Sequence, residues 1–195
     1  MTNPYTIPNL LTALRIVLIP VIVGFFYLPY GWGDMVAGVL FAIAGITDTF
    51  DGYLARRMGQ VSNLGAFLDP VADKLIVATA LVLIVSRNPV WYVTLTACVI
   101  IGREIAISAL REWMAEIGAR KKVAVSSLGK FKTIAQIVGL AMMLFRENFL
   151  GLPMYWIGLV LTVIAAVLTL WSMVQYLRLA WPELRERGHP NRPVS

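Results

Sequence analysis

The sequence predicts an all-α integral membrane protein, six transmembrane helices in one bundle with both termini cytoplasmic, and three observations carry that prediction. The first is composition: 58% of the 195 residues are hydrophobic and 14% are charged, with a mean hydropathy of +0.73. Those values exclude a water-soluble globule. The second is length. Six apolar runs, near 10–27, 35–57, 65–86, 91–113, 130–146 and 155–178, approach or exceed the about 20 residues that a helix needs to cross hydrocarbon. The third is the placement of charge. The links near 28–34, 87–90 and 147–154, with their margins, hold only Arg87 and Arg146, whereas Arg56, Arg57, Arg120, Lys121, Lys122, Arg185, Arg187 and Arg192 stand at the opposite ends. Basic residues concentrate on the cytoplasmic side, so the first and last segments belong there.

Each element follows from its own residues. The N-terminal segment 1–9 reads as interfacial, with apolar Ile7, Leu10, Leu11 and Leu14 at helical spacing and Pro4 and Pro8 nearby. Asn9, Thr12 and Arg15 either help close a site or only anchor a helix end, and the residues leave both open. The first span lacks a basic leader and a small-residue cleavage site, so it reads as a retained helix. The second span ends, and the third begins, in acidic residues. The fourth contains Cys98, the sole cysteine, which excludes an intrachain disulfide and reads as a packing residue; Arg103 and Arg111 lie near its cytoplasmic end. The fifth opens with Lys130 and Lys132. The sixth leads into a cytoplasmic tail, 179–195. Tyr27, Tyr30, Trp32, Trp91, Tyr92, Tyr155 and Trp156 fall at the outer ends, where aromatic belts sit. There is no internal repeat and no long polar insertion, so 1–195 reads as a single membrane domain. The net charge of +6 reflects the positive-inside bias and attraction to anionic headgroups, and calls for no nucleic-acid partner.

One stretch is out of keeping with the rest. ITDTFDGYLARRMGQVSNLGAFLDPVADK, residues 46–74, holds Asp48, Asp51, Asp69 and Asp73, four of the eleven acidic residues. An ionised Asp at a helix centre costs about 2.5–3.5 kcal/mol on insertion scales, and four together repel. Their spacing is informative. Asp48, Asp51, Gly52 and Ala55 recur at i, i+3, i+4 and i+7, one helical face; Gly65, Asp69 and Asp73 repeat every four residues and share a stripe if the third helix begins early enough to include Gly65. Two facing acid stripes persist only with positive charge between them. Carboxylate oxygens suit Mg²⁺, Mn²⁺ or Ca²⁺, and two divalent ions would offset both repulsion and desolvation. A plainer reading takes Asp69 as the N-cap before Pro70 and pairs Asp73 with a neighbouring base. It leaves Asp48, about 13 Å along the helix axis from Arg57, unexplained.

The segment reads D-x2-D-G-x2-A-R-x8-G-x3-D-x3-D, with Asp48, Asp51, Gly52, Ala55, Arg56, Gly65, Asp69 and Asp73 at its fixed positions. It resembles the signature of the CDP-alcohol phosphatidyltransferase family without a departure. The resemblance implies a six-helix membrane enzyme, usually a homodimer, that moves a phosphatidyl group from a CDP-linked lipid to an alcohol and releases CMP. It implies two Mg²⁺ or Mn²⁺ ions on Asp48, Asp51, Asp69 and Asp73, with Asp73 also the general base, and Gly52, Ala55, Arg56 and Gly65 around the CDP-diacylglycerol. IPNLLTALRIVLIP, GREIAISALREWMAE and VAVSSLGKFKTIAQ resemble the branch that uses glycerol 3-phosphate. Its dianionic phosphate would be met by Arg103, Arg111, Lys130 and Lys132, as Arg forks and Lys point charges suit; snorkelling to headgroups is the plainer reading of each. A bacterial cytoplasmic membrane, with the site facing the cytoplasm, is the expected location. Inositol phosphate or phosphatidylglycerol is the alternative acceptor within the family. A cation transporter is the alternative outside it, though it has no use for Gly52, Ala55 and Arg56 beside the acids.

Overall fold

The apolar runs fold as helices. The computed structural model describes residues 7–58, 63–117 and 128–187. They form α1 (Ile7–Phe26), α2 (Trp32–Met58), α3 (Asn63–Arg87), α4 (Trp91–Glu116), α5 (Leu128–Phe145) and α6 (Met154–Arg187). Among the described residues the only β feature is an isolated bridge between Phe149 and Leu152, in the α5–α6 turn, where Arg146, Leu150 and Gly151 take positive φ. Trp91–Glu116 and Met154–Arg178 are long and apolar enough to cross a membrane, and Leu10–Phe26, Trp32–Thr47 and Phe131–Phe145 are apolar over shorter lengths. The last helix continues to Arg187, so part of the expected tail is helical. At 34 residues it is about 51 Å long, well beyond the about 30 Å of a hydrocarbon core.

The helices meet along stripes that are apolar at one end and polar at the other. On α1 the buried residues are Thr12, Arg15, Ile22 and Phe26, a helical face with its polar members at the N-terminal end. On α3 the face that carries Asp69 and Asp73 continues as buried Ile76, Ala80 and Ile84. These residues join Phe41 and Ala44 of α2, Val93, Ala97 and Ile100 of α4, and Leu140, Met143 and Leu144 of α5 in the main core. A second cluster, Ile107, Met114, Tyr176 and Ala180, joins only the C-terminal halves of α4 and α6.

Two glycines bring α5 and α6 unusually close. A Cβ on Gly158 would stand 2.6 Å from the Gly139 carbonyl oxygen, and one on Gly139 would stand 2.8 Å from that of Gly158. Membrane helices gain contact at such small-residue crossings, where no aqueous hydrophobic effect drives association. The close approach sets Lys132 of α5 beside Ser172 of α6, with Lys132 Nζ donating to Ser172 Oγ at 2.7 Å.

The turns at the far end of the bundle are tied together. Arg87 donates to the Phe26 carbonyl at 2.6 Å and pairs with Asp34 at 3.0 Å, joining the ends of α1, α2 and α3. Asn88 donates to the Tyr155 hydroxyl at 2.8 Å. Tyr27, Tyr30, Trp32, Trp91 and Trp156 are exposed around these turns, and Tyr30 stacks on Trp32 with centroids 5.8 Å apart. One expectation is corrected: Cys98 is exposed on α4. It follows buried Ala97 by one residue, and a one-residue step turns a side chain by about 100°, away from the core stripe.

Candidate active site

The site lies at the polar ends of these stripes. α3 begins at Asn63, so Gly65, Asp69 and Asp73 belong to one helix and share the stripe that their spacing predicts. This overturns the N-cap reading of Asp69: the residue sits inside the helix, and Pro70 is an internal proline. Pro70 lacks an N–H, so one rung of the backbone ladder is missing beside the acids.

Both α3 carboxylates are held by α1. Thr12 Oγ1 donates to Asp69 Oδ1, and Arg15 Nη1 donates to Asp73 Oδ1 at 2.5 Å. Thr12 and Arg15 are three residues apart on a buried face; Asp69 and Asp73 are four apart on the opposing one. The two pairs therefore form successive rungs between the helices. The Arg15 side chain is 4% exposed and that of Asp73 is 43% exposed. The arginine thus reaches Asp73 from the protein side, and the carboxylate stays partly exposed.

Asp73 also lines a cavity of about 260 Å³, with Arg15, Gly45, Lys74, Glu104, Thr133 and Gln136 among its other walls. The lining comes from α1 to α5. Arg103 Nη2 pairs with Glu104 Oε1 at 2.7 Å and approaches Thr169 Oγ1 at 3.5 Å, and Arg103 Nε is buried with no hydrogen-bond partner among the described residues. Lys132 is buried and lies within electrostatic reach of Arg103, Glu104 and Arg111. A cationic cluster therefore borders the cavity that holds Asp73. A buried guanidinium with an unspent N–H is costly unless an acceptor completes it, and an anionic ligand would do so.

The structure treats the expected site residues unequally. It places Asp73 on the cavity with Asp69 one turn away on the same stripe, sets Arg103 and Lys132 next in sequence to the lining residues Glu104 and Thr133, and buries Gly65 at the start of the acid stripe. Asp48, Asp51, Gly52, Ala55 and Arg56 are helical positions of α2, and Lys130 is one of α5; their side chains lie outside those described. Arg111 is exposed and lies over the Tyr176 ring, 5.6 Å from its centroid. It contributes field to the cluster without lining the cavity. Among the described residues no three metal-ligating side chains gather, two of the four expected ligands being outside that set. Asp69 and Asp73 fit a divalent cation in donor type and in their shared stripe. The residues that sequence reasoning left undecided or overlooked are Thr12, Arg15, Glu104, Gln136, Thr169 and Ser172. For Arg15 and Glu104 the signal was present, as charges inside apolar runs.

The fold and site thus define an all-helical protein, two of whose helices are long and apolar enough to cross a membrane, with a cavity that holds Asp73 and Glu104 beside a cationic cluster. A profile of the CDP-alcohol phosphatidyltransferase family matches residues 5–171, and the chain belongs to that family. It is 54% identical over 186 residues to the CDP-diacylglycerol–glycerol-3-phosphate 3-phosphatidyltransferase of Salmonella choleraesuis strain SC-B67, covering 94% of this chain and 99% of that one. The proteins of the same name from Escherichia coli strain K12 and Shigella boydii serotype 4 strain Sb227 are 52% identical over 186 and 183 residues, with the same coverage.

Proposed function

We propose that the chain carries the activity in its relatives' name, transferring the phosphatidyl group of CDP-diacylglycerol to glycerol 3-phosphate and releasing CMP. The observation that carries this reading is end-to-end similarity to proteins so named, 94% of this chain against 99% of theirs. The cavity supports it with Asp73 and Glu104 in its lining and with Arg103 paired to Glu104 beside it.

The residues divide the work by charge. In this reading Asp48, Asp51, Asp69 and Asp73 hold two divalent cations, Mg²⁺ or Mn²⁺, which when bound neutralise the diphosphate and the departing CMP. Gly52, Ala55 and Gly65 leave room for the nucleotide, and Arg56 meets its charge. Arg103 and Lys132 hold the phosphate of glycerol 3-phosphate, with Lys130 and Arg111 adding to the field. The free terminal hydroxyl of the acceptor gives its proton to Asp73 as its oxygen bonds to the lipid-side phosphorus. The phosphorus–oxygen bond to CMP breaks, and CMP leaves with the electron pair. Thr12 and Arg15 keep the α3 carboxylates aimed during these steps.

The surroundings follow from the same reading. Residues 1–195 form one membrane domain of six spans in a bacterial cytoplasmic membrane, both termini and the site facing the cytoplasm, and two copies associate as a dimer. The far-end aromatic residues and the Arg87 tie then lie at the outer surface. The test is CMP release by the purified protein from CDP-diacylglycerol with Mg²⁺ or Mn²⁺, offering glycerol 3-phosphate, inositol phosphate, serine or phosphatidylglycerol. Release with glycerol 3-phosphate alone, abolished by EDTA, is the expected result. Release with another acceptor only would overturn the substrate assignment.

A further inference from the structure

The buried residues of α4 are Val93, Ala97, Ile100, Ile107 and Met114, four, three, seven and seven residues apart, which keeps them on one face of the helix. The interval between Ile100 and Ile107 is filled, in that register, by Glu104. A carboxylate thus stands on this face between two buried apolar residues, and it lines the cavity there. Counted from Trp91, Glu104 lies about 20 Å along the helix, short of the about 30 Å of a hydrocarbon core. An ionisable side chain at such depth is costly and points to function.

Two observations direct its role. Glu104 is ion-paired with Arg103 at 2.7 Å yet remains 30% exposed, so one partner does not exhaust an acceptor with two oxygens. It also lines the cavity that contains Asp73. Glu104 therefore shares a cavity with the base that takes the acceptor's proton and is paired with the cation that holds its phosphate, in the function proposed above, on which this inference rests. Glycerol 3-phosphate carries its phosphate on one end of three carbons, the reacting hydroxyl on the other, and a secondary hydroxyl between them.

We propose that Glu104 is the specificity residue for the acceptor's central hydroxyl, accepting its hydrogen bond while Arg103 holds the carboxylate in place. The arrangement selects a polyol phosphate over a simple hydroxyalkyl phosphate. A site built to bond a hydroxyl rejects the analogue that lacks it, because its own polar group is left unpaired.

The test compares glycerol 3-phosphate with 3-hydroxypropyl phosphate, the same skeleton without the central hydroxyl, in wild type, Glu104→Gln and Glu104→Ala. Losing Glu104 also leaves Arg103 without its ion pair, so KM is expected to rise for both acceptors; the ratio of their kcat/KM values isolates the hydroxyl. Wild type is expected to prefer glycerol 3-phosphate by about 10- to 100-fold, the range for a hydrogen bond to a charged group. Glu104→Gln, whose amide oxygen still accepts, should keep part of that preference, and Glu104→Ala should reduce it to within about threefold. Equal losses on both acceptors with the ratio preserved would overturn the proposal, as would a wild type indifferent to the central hydroxyl. Wild-type protein releasing no CMP with either acceptor would strike the proposed function itself, a separate outcome.

Discussion

Arg15 is where the structure makes its sharpest demand. Replacing it with alanine removes a guanidinium that is almost wholly enclosed and leaves Asp73 without its 2.5 Å partner. Removing one member of a fully buried pair costs about 3–5 kcal/mol, whereas exposed pairs are worth about 0–1 kcal/mol. Asp73 is 43% exposed, so water replaces part of what is lost. A figure of about 1.5–3 kcal/mol follows, that of a hydrogen bond to a charged group. If the pair serves to aim Asp73, this appears in the transition state as a fall in kcat of about 10- to 100-fold. Arg15→Lys keeps a point charge but not the fork, and should stay within about tenfold of wild type. The assay is CMP release at saturating CDP-diacylglycerol and glycerol 3-phosphate, with thermal unfolding in detergent as a control for folding. Folded Arg15→Ala protein working at the wild-type rate would refute the brace.

Other perturbations address separate parts of the account. Arg103→Ala should raise KM for glycerol 3-phosphate at least about tenfold, the loss of one charged hydrogen bond, and leave that for CDP-diacylglycerol within about twofold; equal rises would remove Arg103 from the acceptor site. Lys132→Met should act in the same direction, and a normal acceptor KM would confine the lysine to its bond with Ser172. Gly158→Ala places a Cβ 2.6 Å from the Gly139 carbonyl oxygen. It should destabilise the protein by about 1–3 kcal/mol, the scale for overpacking, read as a lower unfolding midpoint in detergent. An unchanged midpoint would show that α5 and α6 separate at little cost.

Much of the helical layout was legible because the long apolar runs of the sequence coincide with the helices, two of them long and apolar enough to cross a membrane. The acid stripe on α3 was legible for a related reason: Gly65, Asp69 and Asp73 repeat at the period of the helix that carries them. What could not be read was which partner each charge meets. Arg15 and Asp73 are 58 residues apart, and no local periodicity connects them; only the packing of α1 on α3 does. The proline after Asp69 left an N-cap as the plainer alternative to a place on the acid stripe, and the helix settles this by beginning six residues earlier and tolerating Pro70. Glu104 drew no reading from the sequence, and only the packing of the helices shows that it lines the cavity with Asp73. Cys98 was misplaced by composition alone: an apolar span has a surface as well as a core, and one residue of register separates them.

The most direct measurement of the central claim is Asp73→Asn, assayed for CDP-diacylglycerol binding and CMP release in the same preparation. The substitution keeps the size of the side chain and its bonding to Arg15 through the amide oxygen, and removes the capacity to take a proton. Binding is expected to persist while turnover falls at least about 100-fold, the usual scale for a general base. Turnover near the wild-type rate would contradict the account, because no step in it proceeds without a base at Asp73.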